Sequence, residues 1–152
     1  MKGVQMIDEK KEYDLSRFLK MHNQDYETAL RELKGGRKYS HWMWYIFPQI
    51  AGLGHSQTAV FYSIVSLGEA KAYLDNEELG AHMNELCQVL LGLKTNFASS
   101  VFAYPDDMKL KSSMTLFEQA DPANPVYGQV LDKYFHGERD SRTLQILKVR
   151  AK

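Results

Sequence analysis

The chain carries a single cysteine, no surplus of either charge and no long apolar run. Cys87 cannot close an internal disulfide, and its place on an apolar helical face predicts a buried, inert thiol suited to a reducing cytosol. Nineteen basic against nineteen acidic side chains give a formal net charge of zero. That balance removes any chain-wide pull toward nucleic acid or anionic membrane and leaves only local patches, so a nucleic-acid-binding domain is a weak reading. No stretch of eighteen apolar residues is present, and the start M-K-G-V-Q-M-I-D-E-K-K-E lacks the apolar run of a secretory signal. A cytoplasmic protein with no membrane association is expected. Also missing are strict apolar/polar alternation, internal repeats and low-complexity linkers, so no sheet and no second domain is called for.

What is present is helical periodicity. At 152 residues the chain is long enough for one self-sufficient core. Residues 1–12 are polar and read as a loose arm, with residues 13–149 as a single helical domain. Asp14 is placed as the cap of a helix bearing Phe18, Leu19 and His22. A second helix from about Asp25 bears Tyr26, Ala29, Leu30 and Leu33 and ends at Gly35-Gly36. Ser56 caps the next helix, and Ser66 with Glu69 has capping-box spacing for another. Asn76 opens the clearest helix, whose apolar stripe is Leu79, Met83, Leu86 and Leu90. Asp106, Asn124-Pro125 and Asp140 begin three more, the last with Lys148, Arg150 and Lys152 at its negative pole. The fold class is therefore all-α, a compact bundle of about seven short helices with an ordered aromatic loop.

That loop, Gly36 to Ser56, reads G-R-K-Y-S-H-W-M-W-Y-I-F-P-Q-I-A-G-L-G-H-S and holds both tryptophans, two of the five histidines and an adjacent basic pair. Pro48 stops any helix begun at Ser40 near Tyr45 or Ile46. Arg37 and Lys38, after a glycine pair and before the N–H groups of a helix start at Ser40, suit a phosphate or carboxylate. Trp42 and Trp44 are two apart and point in different directions, so one packs inward and the other forms a rim on which a planar ring can stack. His41 is the candidate acid or base, poised as a neutral imidazole if burial and cations lower its pKa. Gln49 can read a base edge or ribose. Met43, Tyr45 and Phe47 anchor the loop.

Other motifs fail on context. Gly52-Leu53-Gly54 lacks the third glycine and the preceding strand of a dinucleotide fingerprint. Lys109, Lys111, Ser112 and Ser113 do not have nucleophilic serine–lysine spacing, although Ser112 or Ser113 turned inward would line a pocket. The five histidines are scattered and Glu78 with His82 lacks a third ligand, so no metal and no cofactor is expected.

The long central run, with D-L-S-R-F-L at Asp14 to Leu19 and K-L-K-S-S-M-T-L-F at Lys109 to Phe117, resembles a widespread bacterial family known only as a domain of unknown function, number eighteen-ten. Some members bear the label calpastatin, which a patterned globular chain does not support. The resemblance spans Tyr13 to about Leu147 and implies a small, mainly helical domain without an assigned activity. It adds Tyr62, Lys109 and Ser112 to the positions of interest. The expected function is a pocket for a small anionic, nucleotide-derived ligand (a nucleotide, NAD or ADP-ribose), formed by Arg37, Lys38, Ser40, Trp42, Trp44, Gln49, Tyr62, Lys109 and Ser112. Hydrolysis with His41 as acid or base is the matching chemistry. The alternative is a non-catalytic interaction module whose exposed aromatics anchor a partner or a second copy of the chain.

Overall fold

The computed structural model describes residues 12–150. Most of the loose arm therefore lies outside the described residues, as does Lys152. Within them are nine helices: α1 (Ser16–Lys34), α2 (Met43–Ile46), α3 (Gln57–Phe61), α4 (Leu67–Asp75), α5 (Glu77–Gly92), α6 (Ala98–Val101), α7 (Asp106–Ala120), α8 (Val126–Phe135) and α9 (Ser141–Arg150). The one β feature among the described residues is an isolated parallel bridge, Ile50 to Ile64. The chain is all-α.

α7 is the centre. It buries an unbroken run from Ser112 to Phe117 as well as Leu110 and Ala120, the all-round burial of a helix covered on every side. Around it, α7 packs on α4, α8 and α9, while α5 packs on α1, α4 and α8. The stripe expected on α5, Leu79, Met83, Leu86 and Leu90, is fully buried together with Cys87. Each such side chain contributes on the order of 1.5–3 kcal/mol. Burial also pushes the Cys87 thiol up to about 12, which keeps it inert.

The capping residues act largely as their spacing predicts. Ser56 Oγ accepts from the Ala59 N–H, and Asn76 Oδ1 accepts from the N–H groups of Glu78 and Leu79. Ser66 Oγ accepts from the Glu69 N–H, but the Glu69 carboxylate reaches past the cap to the Val65 N–H and to Arg17, where it pairs at 3.1 Å. Asp140 Oδ2 takes both the N–H and the hydroxyl of Thr143 at the start of α9.

The expected helical hairpin before Gly35 is instead one helix of 19 residues. No proline or glycine interrupts Asn23-Gln24-Asp25, and Phe18, His22, Tyr26, Ala29 and Leu33 fall on one buried face straight through it. Asp25 caps nothing; its carboxylate takes the Tyr45 hydroxyl. Asp106 likewise sits inside α7 rather than capping it, since the cap position falls on Pro105.

Candidate functional site

The central stretch leaves α1 through Gly36, whose φ of 86° admits glycine easily. It returns at once to the helix it has left. The Glu32 carboxylate accepts from the N–H of Tyr39 at 2.8 Å, the N–H of Ser40 at 3.0 Å, the Ser40 hydroxyl and Trp42 Nε1 at 2.9 Å. Burial raises the pKa of this carboxyl, but the bonds from Ser40, Tyr39 and Trp42 outweigh it and hold the group down at about 2. The N–H groups expected to meet a ligand anion at Ser40 therefore meet the chain's own anion.

Lys38 is spent in the same way. Its ammonium, with the side chain only 7% exposed, pairs with Asp106 at 2.7 Å and lies 5.1 Å from the Trp42 ring centroid. Trp42 is the inward tryptophan, fully buried against Phe47 and Phe102. Trp44 is the half-buried one, with Lys109 Nζ 5.0 Å from its ring. Arg37 and His41 are exposed. The Arg37 guanidinium donates to the Ser100 carbonyl at 3.3 Å. The burial expected for His41 is absent. Tyr62 packs against Tyr45 and Phe18.

The second half of the stretch behaves differently. Gln49 accepts from the Ser112 hydroxyl at 2.5 Å, which joins the aromatic loop to α7 across 63 residues of sequence. The Gln49 backbone carbonyl accepts from the Ile64 N–H, and Ala51 donates to the Ile64 carbonyl, so the isolated bridge fixes the loop. Arg150 adds bonds to the carbonyls of Ala51 and Val65, tying α9 to both sides of that bridge.

Beside this junction lies a cleft of about 420 Å³, with Gln49, Gly54, Tyr104, Lys109, Ser112 and Arg142 in its lining. Three of the nine expected ligand-binding residues, Gln49, Lys109 and Ser112, line it. Arg37, Lys38, Ser40, Trp42, Trp44 and Tyr62 do not, nor does His41. Lys109 holds Asp106 only loosely, at 3.7 Å. Tyr104 is 81% exposed. Tyr104 and Arg142 were not picked out from the sequence. Tyr104 had a signal in the Tyr104-Pro105 turn; Arg142 had none, because α9 brings it to the cleft from the far end of the chain. Among the described residues no group of three histidine, cysteine or acidic side chains is placed to hold a metal ion. No described helix is long and apolar enough to cross a membrane.

Fold and junction together define a small all-α domain whose aromatic loop is fastened to a central helix. The chain belongs to the family described as "Protein of unknown function (DUF1810)", which matches residues 12–147. It is similar to the crystal structure of the conserved hypothetical protein Rv1873 from Mycobacterium tuberculosis, at 43% identity and a TM-score of 0.87, over 90% of this chain and 97% of that one. Among curated proteins nothing matches.

Proposed function

We propose that the protein binds a small anionic, nucleotide-derived ligand of the nucleotide, NAD or ADP-ribose type in the cleft between Gln49, Tyr104, Lys109, Ser112 and Arg142. The observation that carries this reading is the meeting of the central stretch with α7 at the Gln49 to Ser112 bond, beside Lys109, which reaches Asp106 only at 3.7 Å, and Arg142, which makes no ion pair among the described residues, with Asp140 as the one acid in the lining. Arg142 offers a planar fork for a phosphate, Lys109 a second positive charge, and the exposed Tyr104 ring a stacking face. The Ser112 bond engages the Gln49 carbonyl and leaves its amide N–H groups for a ligand acceptor.

His41 stands outside the cleft lining, so hydrolysis with His41 as acid or base requires a ligand that extends past the cleft to within hydrogen-bond reach of it. Calorimetry against nucleotides, NAD and ADP-ribose tests the binding step. Arg142→Ala and Lys109→Ala should each weaken the complex at least tenfold, His41→Ala should leave binding unchanged while abolishing any turnover, and silence from every ligand would end the reading. The interaction-module alternative would rest on Tyr39, 75% exposed, and the half-buried Trp44, since Trp42, Tyr45 and Phe47 are buried inside the domain.

A further inference from the structure

A second polar cluster lies on the other side of Tyr45. His22 of α1 and His82 of α5 face each other through their Nδ1 atoms at 2.9 Å, with their rings parallel. Behind the pair, His22 Nε2 is 2.9 Å from the Tyr45 carbonyl of α2 and 3.0 Å from the Tyr73 hydroxyl of α4. Tyr73 also donates to the Tyr45 carbonyl, at 3.2 Å. In front, the Tyr26 ring stacks on His82 at a centroid distance of 3.5 Å and its hydroxyl donates to Glu85. His22 is buried and His82 half-exposed.

The Tyr45 carbonyl then assigns the protons, with the Tyr73 hydroxyl donating to that same carbonyl rather than to the ring. A carbonyl oxygen only accepts, so the nitrogen beside the Tyr45 carbonyl carries hydrogen, and neutral His22 has a bare Nδ1. His82 must supply the proton of the 2.9 Å contact from its own Nδ1, which leaves its Nε2 bare. A first added proton goes to His82 Nε2 and keeps the contact, since cationic His82 still donates through Nδ1. A second proton has only His22 Nδ1 to occupy. It would set two N–H groups and two positive charges against each other.

We infer that His22 and His82 form a tautomer-locked imidazole pair that joins α1 to α5, with the Tyr45 carbonyl setting the tautomer from behind, and that this contact opens only when both rings are protonated. The charged neighbours favour that order. Burial lowers the pKa of His82, with Glu78, Glu85 and Glu27 opposing it, whereas burial and the facing His82 ring bring His22 down to about 4, opposed by the Tyr45 carbonyl. Asp25 is occupied by the Tyr45 hydroxyl, and among the described residues no carboxylate bonds to His22.

Long-range 1H–15N correlation spectra of the intact protein read the tautomers directly. At neutral pH the expected result is Nε2–H for His22 and Nδ1–H for His82. On acidification His82 should titrate first with its bond to His22 intact. Protonation of His22 near pH 4 should then coincide with loss of the cross-peaks between the His22 and His82 rings, while the amides of Ile46 and Phe47, behind a His22 Nε2–H that both charge states keep, stay protected. His82→Ala removes both the facing N–H and the second charge, so His22 should take up its proton at a higher pH than in the parent. His82→Gln, which keeps a donor but never a charge, should do the same and serves if the alanine variant does not fold. An Nδ1–H on His22 at neutral pH, titration of His22 before His82, ring cross-peaks that persist after both rings are protonated, or an unchanged His22 titration in the variants would each overturn the inference.

Discussion

The two halves of the central stretch use similar residues for different ends. From Arg37 to Phe47 nearly every polar group except Arg37 and His41 is consumed internally: Ser40 and Trp42 by Glu32, Lys38 by Asp106, and Tyr45 by Asp25. From Gln49 to Gly54 the backbone is just as firmly held, yet Gln49 and its neighbours Lys109 and Arg142 open onto a cleft. A dense run of aromatic, basic and titratable side chains therefore does not by itself mark a binding surface. Satisfied groups build the domain; groups with unspent bonds can take a ligand.

That contrast can be broken most forcefully at the tryptophans. Trp42→Ala should cost about 3–5 kcal/mol in denaturant unfolding, since it empties a fully buried site and strips a donor from Glu32. Trp44→Ala, at a half-buried position, should cost under about 1.5 kcal/mol by the same measurement. Equal losses would erase the distinction between an inward and a rim tryptophan. Next in size is Glu32→Gln, expected to cost about 2–3 kcal/mol at neutral pH, because one amide oxygen replaces two charged acceptors and an NH2 is set against donors.

Acid should sharpen the contrast further. The Glu32 carboxyl lies at about 2 in the folded chain against an ordinary 4.5, so its contribution is present above pH 4.5 and is lost as pH falls toward 2. His22 is also depressed, from 6.5 to about 4. The unfolded chain takes up its proton first, so that stability is present above pH 6.5 and is lost as pH falls toward 4. Chemical unfolding at a series of pH values should show both windows in the parent and only the upper one in Glu32→Gln. The smallest effects belong to the cleft. Lys109→Ala and Arg142→Ala should each change stability by no more than about 0.5 kcal/mol, a result that a structural role for either would contradict.

Much of the fold was legible because caps and apolar rows are local. Ser56, Ser66 and Asn76 start helices where their side chains can reach N–H groups two or three residues on, and the α5 stripe needs only a period of 3.6. Continuity of α1 was not, because Asn23-Gln24-Asp25 carries the polarity of a break while sitting on a helix whose other face is buried. The roles of the tryptophans were open for a related reason. What selects Trp42 is Glu32, ten residues upstream on another element, and no spacing within the stretch records that bond. The same holds for the cleft: Gln49 meets Ser112 across 63 residues, and Arg142 arrives on α9. His22 and His82 looked scattered in the sequence, yet they lie in contact because α1 packs on α5.

Backbone amide shift mapping on addition of ADP-ribose or NAD probes the division between the two halves most directly. Shifts confined to Gln49–Gly54, Tyr104–Ser112 and the start of α9 around Arg142, with Tyr39–Trp42 silent, are the expected result. Shifts centred on Tyr39–Trp42 with the cleft silent would mean that Glu32 yields its donors to a ligand, and the division drawn here would be wrong.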